Sequence, residues 1–225
     1  MRNAFENDLK KLQDDVLILA SMVERQIIES VDALRERSKV GSRQIIAGDE
    51  RINERRFAIE NDVVTLIATQ QPMAKDLRFL AGVLEIITEL ERIGDYGKGI
   101  AKINLMMGDA ALIKPLVHIP VMAEKARSML HDSLDAFIRQ DVALAKSIPA
   151  RDDEVDELYN QVYREILDLI FVDSPKNFDQ ATQLLWVAHN LERAADRVTN
   201  ICERVVFTVT GHMIELDNDE RVLAY

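Results

Sequence analysis

The sequence of 225 residues contains an internal repeat, and this feature constrains the fold most strongly. The segment SVDAL at 30–34 matches SLDAF at 133–137, an offset of 103 residues. Further along, LERIGD at 90–95 matches LERAAD at 191–196, an offset of 101 residues. Two further matches lie between them: Asp49, Ile52 and Asn53 fall on Asp152, Val155 and Asp156, and Gln71-Pro72 falls on Ser174-Pro175. Four agreements in the same order, with one small gap, indicate a duplication. The fold is therefore expected to consist of two similar halves.

Glycine and proline are scarce, with eight and five residues respectively, so the secondary-structure elements are expected to be long. These residues divide the chain into six pieces: 1–40, 49–71, 74–107, 121–148, 150–174 and 176–210. Apolar residues recur three and four positions apart in these pieces, as on the buried face of a helix, and the pattern runs for three heptads from Leu184 to Val205. Aromatic residues make up only 5%, which disfavours a β-sandwich or barrel.

The repeat and the helical periodicity together predict an all-α protein made of two tandem three-helix bundles. We expect the first bundle to span residues 1–112 and the second to span 113–215, followed by an acidic tail at 216–225. Gly94 and Gly97 lie inside the third helix, where each glycine costs about 1 kcal/mol relative to alanine. The expected reason is close approach of a neighbouring helix, or backbone room beside Glu91 and Asp95.

The composition also limits the class of partner. The chain has 39 acidic and 28 basic residues and a net charge of -11, which disfavours a nucleic-acid partner. Its apolar runs are too short to cross a bilayer, so no membrane insertion is expected, and the first residues do not form a signal peptide. The single cysteine, Cys202, falls on the apolar stripe of the last helix. We expect a cytoplasmic protein.

Acidic residues recur at matched positions of both copies. The third helices carry Glu91 with Asp95 and Glu192 with Asp196, and the expected starts of the second helices carry Asp49 with Asn53 and Asp152 with Asp156. Residues four apart share a helix face, and the second and third helices of a bundle are neighbours. Each copy is thus predicted to gather oxygen ligands suited to hard or borderline cations. The second copy is expected to bind more tightly, because Asn53 removes one charge from the first.

A purely structural interpretation of these acidic residues remains open. Arg92 and Arg193 lie three residues before Asp95 and Asp196, so each arginine is placed for an ion pair along its own helix. His189, three residues before Glu192, is either a peripheral metal ligand or an ordinary surface histidine.

The sequence lacks the motifs of an enzyme active site. It contains no P-loop, dinucleotide fingerprint or nucleophile elbow, and no Glu-x-x-His spacing of the kind used by di-iron bundles. A non-catalytic adaptor is therefore the favoured function. The alternatives are a carboxylate-bridged metal-storage protein or metalloenzyme, and a purely structural coiled-coil protein.

Two segments resemble the PhoU family of phosphate-specific transport accessory proteins. They are PMAKDLRFLAGVLEIITELERIGDYGKGIAK at 72–102 and LERAADRVTNICE at 191–203, which includes Asn200. The resemblance extends over nearly the whole chain. It implies a spectrin-like pair of three-helix bundles in a cytoplasmic protein that commonly forms a homodimer.

The resemblance also implies a function and a set of ligands. Members act as negative regulators of the phosphate-starvation response, and connect the ATPase subunit of the phosphate ABC transporter to a membrane sensor histidine kinase. Some members bind iron or zinc clusters, or manganese or magnesium, through their acidic motifs. On this sequence the implied metal ligands are Asp49, Asn53, Glu91 and Asp95 in the first copy, and Asp152, Asp156, Glu192 and Asp196 in the second.

Overall fold

The computed structural model describes residues 2–173 and 178–216, and within these ranges it contains helices and no strand. The helices are α1 (Arg2–Arg35), α2 (Lys39–Gln70), α3 (Ala74–Met106), α4 (His118–Arg139), α5 (Val142–Ser147), a 3-10 helix (Pro149–Arg151), α6 (Asp152–Asp173) and α7 (Phe178–Thr210). The all-α class and the two three-helix bundles are confirmed. Most of the acidic tail, from residue 217 onward, lies outside the described residues.

Each bundle is held together by the apolar stripes of its helices. Helices α1, α2 and α3 pack together in the first bundle, and α4, α6 and α7 pack together in the second. The stripe in α7 from Leu184 to Val205 is buried at every predicted position, including Cys202. Burying one such aliphatic side chain contributes about 1.5–3 kcal/mol, so these stripes are the main source of stability. Among the described residues no helix is both long and apolar enough to span a membrane.

The local structure repeats with the same offset of 103 residues as the sequence. Ser38 caps α2 by accepting a hydrogen bond from the backbone N–H of Gly41, and Asp141 caps α5 by accepting one from Leu144. The residues before these caps, Arg37 and Gln140, both have left-handed backbone conformations, with φ of 56° and 55°. The duplication therefore extends to the turns between helices.

Three of the six predicted pieces have clearly different bounds in the structure, and the first ends as α1 at Arg35 rather than at residue 40. Helix α2 begins at Lys39 rather than at residue 49, because the cap at Ser38 starts the helix and Gly41 and Gly48 are accommodated inside it. The piece predicted at 121–148 is divided at Gln140, where the chain turns between α4 and α5. At these two boundaries a capping residue, Ser38 or Asp141, sets the start of the following helix.

The two bundles pack against each other mainly through α3 and α7, which run antiparallel. Asn200 Nδ2 donates to Glu89 Oε2 at 3.3 Å, and a Cβ added to Gly99 would lie 3.3 Å from Asn190 Oδ1. Positions 89 and 99 match positions 190 and 200 under the offset of 101 residues. The two contacts are therefore related by an approximate twofold axis between the copies.

The glycines of α3 mark close helix contacts, as predicted. A Cβ added to Gly94 would lie 3.4 Å from Ile52 Cδ1 of α2. A Cβ added to Gly97 would lie 3.1 Å from Gln26 Cγ and 3.3 Å from the Gln26 carbonyl oxygen of α1. Helix α3 thus approaches both of its partners closely at the level of the acidic residues.

Candidate functional site

The predicted site residues lie where α2 meets α3 and where α6 meets α7. We call Asp49, Asn53, Glu91 and Asp95 the first acidic group, and Asp152, Asp156, Glu192 and Asp196 the second acidic group. Asp49 lies in the interior of α2 rather than at its start, because α2 begins at Lys39. Its counterpart Asp152 is the first residue of α6, as predicted.

A lysine lies at the centre of the first acidic group. Lys98 Nζ donates to Asp49 Oδ2 at 2.6 Å and to Asp95 Oδ1 at 3.3 Å. The hydrogen bond to Asp49 is the largest influence on the pKa of Lys98 and raises it; burial opposes this, and the charge of Asp49 and the contact with Asp95 add to the rise, so the pKa lies above its usual value. Because the Asp49 side chain is only 4% exposed, this ion pair is shielded from solvent on one side.

Amide groups complete the hydrogen bonding of Asp49. Gln26 Nε2 of α1 donates to Asp49 Oδ1 at 3.1 Å and to the Gly94 carbonyl oxygen at 2.8 Å. Asn53 Nδ2, one turn away, donates to Asp49 Oδ2 at 3.4 Å. Both oxygens of this buried carboxylate therefore accept hydrogen bonds, which is the condition for burying a charge at low cost.

Glu91 shows that the two helices bring their carboxylates together. Burial raises the pKa of Glu91, and the negative charges of Asp95 and Asp49 raise it further, while Arg56 and Arg92 act in the opposite direction. Asp49 comes from α2 and Asp95 from α3. The expected convergence of the neighbouring helices is therefore present in the first bundle.

One of the two predicted ion pairs along α3 and α7 is wrong. Arg92 does not pair with Asp95; its Nη1 lies 3.7 Å from Glu89 Oε1, on the side of α3 that faces the other bundle. Asp95 pairs with Lys98 instead. The corresponding pair in α7 is confirmed, since Arg193 Nη1 lies 3.1 Å from Asp196 Oδ2.

The second acidic group has a different balance of charge. Burial raises the pKa of Glu192 to about 7, and the charges of Asp156 and Asp196 contribute in the same direction, while Arg193 opposes them. Asp156 belongs to α6 and the other two to α7, so the carboxylates of adjacent helices act on one another here as well. Arg193 is the only cation that lowers the pKa of Glu192 among the groups in the described part of the chain.

Aromatic side chains border the second acidic group. His189 Nδ1 lies 3.3 Å from Glu192 Oε2, and its ring contacts Trp186 edge-on at a centroid distance of 5.8 Å. The ring centroid of Tyr159 of α6 lies 6.3 Å from that of His189, and burial together with the charge of Glu192 raises the pKa of Tyr159. His189 is thus both a surface residue, 43% exposed, and a neighbour of the predicted ligand.

The PhoU domain profile matches the chain twice, over residues 16–103 and 119–205. The chain belongs to the PhoU family. A protein of Clostridium acetobutylicum named phosphate-specific transport system accessory protein PhoU homolog is 37% identical over 96% of this chain and 99% of its own length. A homolog of the same name from Aquifex aeolicus is 34% identical over 92% of this chain and 94% of its own length.

Solved PhoU structures share the fold. The phosphate transport system regulatory protein PhoU from Streptococcus pneumoniae superposes with a TM-score of 0.86 at 32% identity, and covers 93% of this chain and 99% of its own. PhoU from Pseudomonas aeruginosa also superposes with a TM-score of 0.86, at 28% identity, covering 92% of this chain and 100% of its own. The resemblance to the PhoU family, stated from the segments at 72–102 and 191–203, is confirmed.

Comparison of the two PhoU repeats of this chain at matched positions explains why their acidic groups differ. Gln26, Asn53 and Lys98 provide every side-chain hydrogen bond found for Asp49 in the first repeat. The matching residues of the second repeat are Met129, Asp156 and Thr199. Met129 and Asp156 each replace an amide donor, Asp156 adds a negative charge, and Thr199 replaces the ammonium group of Lys98 with a neutral hydroxyl. The second repeat thus keeps its carboxylates and lacks the lysine of the first.

The donor sets determine how well a metal ion fits each PhoU repeat. Within residues 2–173 and 178–216, no three His, Cys, Asp or Glu side chains are already arranged as a metal site. The second acidic group nevertheless has the donor set that a hard cation prefers, because Asp152, Asp156, Glu192 and Asp196 are all carboxylates. The first acidic group does not fit one in its present arrangement, because Lys98 already lies between Asp49 and Asp95.

Sequence reasoning missed Lys98 and Gln26. The signal for Lys98 was its position three residues after Asp95, one helical turn away, where its ammonium group reaches the carboxylate. Gln26 gave no signal, since it lies on α1 and is brought to Asp49 only by the packing of three helices. Cys202 requires no functional role, because burial raises the pKa of its thiol to about 12.

Proposed function

We propose that this protein is an accessory protein of a phosphate transport system and acts as a regulator without catalysing a reaction itself. The observation that carries the proposal is the match over almost the full length of both chains to proteins named for this role. A further feature supports it, since the fold agrees with that of a phosphate transport system regulatory protein.

The regulatory role that we propose is that of a negative regulator of the phosphate-starvation response. In the cytoplasm, the protein contacts the ATPase subunit of the phosphate ABC transporter and the membrane sensor histidine kinase. When phosphate is plentiful, docking of the protein holds the kinase in the state that dephosphorylates its response regulator. A rigid pair of bundles suits this task, because long packed helices offer fixed surfaces to two partners at once.

Deletion of the gene tests this regulatory role. In cells grown with ample phosphate, deletion is expected to raise expression of phosphate-scavenging genes, and a plasmid copy is expected to restore repression. Unchanged expression in the deletion strain contradicts the role. A pull-down from phosphate-rich cells is expected to recover the transporter ATPase and the sensor kinase, and light scattering is expected to report a homodimer.

We further propose that the second acidic group binds metal. Glu192, Asp156, Asp152 and Asp196 offer oxygen ligands, which favour manganese or magnesium, while iron and zinc also accept carboxylates. A cation there offsets the mutual repulsion of Glu192, Asp156 and Asp196. Elemental analysis of protein purified without chelator or affinity-column metal tests this, with Glu192→Ala/Asp196→Ala as the variant expected to lose the metal.

A carboxylate-bridged metal store or metalloenzyme is the competing function, and the second acidic group is the feature that favours it. The two functions are separated by assaying the metal-loaded protein for phosphatase and oxidase turnover. Steady turnover that is lost in Glu192→Ala supports the enzyme. Metal binding without turnover supports the regulator.

A further inference from the structure

We infer that the Lys98 ammonium group serves as the resident cation of the first acidic group, so that this chain binds metal in its second repeat only. The inference rests on the proposed metal site at the second acidic group. It revises the set of metal ligands expected from the sequence, in which Asp49, Asn53, Glu91 and Asp95 formed a site equivalent to the second.

The position of the ammonium group carries the argument. A carboxylate-bound cation must lie close to oxygens from both helices, at about 2.0–2.6 Å for magnesium or calcium. Lys98 Nζ already occupies such a bridging position, 2.6 Å from Asp49 Oδ2 of α2 and 3.3 Å from Asp95 Oδ1 of α3. A metal ion in the same place would have to displace Lys98 and would then repel it at short range.

The hydrogen bonds of Asp49 oppose metal binding further. Its Oδ1 accepts from Gln26, and its Oδ2 accepts from both Lys98 and Asn53. Gln26 is itself 6% exposed and also donates to the carbonyl oxygen of Gly94, so it is fixed by two acceptors on different helices. A metal ion would have to replace donors that are built into the packing of α1, α2 and α3.

The second repeat has neither the ammonium group nor the amide groups at the matched positions. Thr199, which matches Lys98, is 3% exposed and carries no charge to offset Glu192. Met129, which matches Gln26, is completely buried and has no N–H group to donate. The same scaffold therefore places a lysine between two carboxylates of the first acidic group and has no lysine at the matched position of the second, where Arg193 pairs with Asp196. We therefore expect metal to bind in the second repeat and not in the first.

Manganese binding by three forms of the full chain tests the inference. Equilibrium dialysis against Mn²⁺ is compared for the wild type, Glu91→Ala/Asp95→Ala and Glu192→Ala/Asp196→Ala. We expect the first variant to keep the wild-type manganese content and the second to lose it. Loss of half the bound manganese in Glu91→Ala/Asp95→Ala overturns the inference, because it shows that both groups bind metal.

Replacing the lysine tests the inference independently of the second site. In Lys98→Gln, the carboxylates of the first group lose their ammonium partner, so we expect a lower melting temperature and a gain in bound Mn²⁺. Lys102→Gln, on the exposed face of the same helix, removes the same charge and is expected to change neither quantity. Lys98→Gln with the melting temperature and manganese content of Lys102→Gln overturns the inference.

The two sets of variants distinguish failure of the inference from failure of the proposed metal site. If Glu192→Ala/Asp196→Ala binds as much manganese as the wild type, the proposed site fails, whereas the Lys98→Gln comparison still decides the role of the lysine. If Lys98→Gln does not fold, the manganese content of Glu91→Ala/Asp95→Ala decides it. As a reciprocal change, Thr199→Lys is expected to abolish manganese binding, and Thr199→Met is expected to retain it.

Discussion

Asn200 of α7 donates a hydrogen bond to Glu89 of α3 at 3.3 Å, across the contact between the two bundles. Arg197 Nη1 lies 3.4 Å from the same carboxylate oxygen, and Glu89 is only 8% exposed. Such a buried acceptor connects α3 and α7 by polar contacts. Glu89 therefore helps to fix the relative position of the two repeats.

Glu89→Gln is expected to destabilise the protein by about 1–3 kcal/mol, because it removes the charge that Arg197 and Asn200 contact in a buried setting. The free energy of unfolding from urea titration measures the effect. Glu85→Gln, on the exposed face of the same helix, is the control and is expected to stay within about 0.5 kcal/mol of the wild type. Equal losses in the two variants would argue against the polar contact.

Gly97→Ala is expected to destabilise the protein by about 1–3 kcal/mol, because its Cβ would lie 3.3 Å from the backbone oxygen of Gln26, which cannot easily move. Gly48→Ala provides the matched control, since its Cβ would approach only Arg51 Nη2, at 4.0 Å. That control is expected to stabilise the chain by about 0.5–1 kcal/mol through lower backbone entropy in the unfolded state. Thermal unfolding of both variants measures the contrast, and a stabilised Gly97→Ala would contradict it.

The stability of the metal-free protein is expected to fall as the pH rises from 4.5 to 7. The folded state holds a proton on Glu192 up to a pKa of about 7, whereas the unfolded state releases it near 4.5, so ionisation favours unfolding within that window. Because the side chain is partly exposed, we expect a penalty of about 1–2 kcal/mol above pH 7. Glu192→Gln is expected to flatten this dependence and to be the more stable form at pH 8.

Urea unfolding in EDTA at pH 5.5 and pH 8 measures this effect. Glu157→Gln, on the exposed face of α6, serves as the control and is expected to keep the wild-type slope with pH. If Glu192→Gln loses stability equally at both pH values, burial of Glu192 does not carry the predicted penalty.

Gln140→Gly and Arg37→Gly are expected to act in opposite directions, although both residues have the same left-handed backbone. Glycine at position 140 relieves a strain of about 1 kcal/mol and loses only an exposed contact with Lys75. Glycine at position 37 relieves the same strain, but loses a hydrogen bond of 2.6 Å from Arg37 to Asn104, which is 1% exposed. Melting temperatures are expected to rise in Gln140→Gly and to fall in Arg37→Gly. A rise in both variants would show that the hydrogen bond from Arg37 contributes less than the backbone strain costs.

The fold could be predicted from the sequence for two reasons. The apolar spacing that marks a helix lies within a short segment, and the same segments occur in both halves of the chain. Apolar spacing marked the stripe in α7, and the repeated segments placed each helix of one bundle on a helix of the other. The start of α2 could not be placed in the same way, since Gly41 and Gly48 suggested a break while the cap at Ser38 determined the actual boundary. A cap is a single hydrogen bond and leaves no periodic signal.

The two acidic groups could also be predicted because their residues recur at matched positions of both repeats. The difference in charge between the two groups is larger than the sequence indicated. The exchange of Asn53 for Asp156 was visible at the matched positions, and correctly pointed to unequal charge. The larger difference, between Lys98 and Thr199, became apparent only when the structure brought the lysine to Asp49 on another helix. Contacts between helices depend on the angle at which they pack, which spacing along one helix does not reveal.

The approximate twofold relation between α3 and α7 has a consequence for dissection of the molecule. Each of these helices turns one side towards its own bundle and another towards the opposite repeat, so neither half covers its own third helix completely. A fragment that ends after α3 would expose the surface that α7 normally protects, and would be prone to self-association through that surface. The two repeats pack like two subunits of a dimer, and each repeat expressed alone is expected to be less soluble than the full chain.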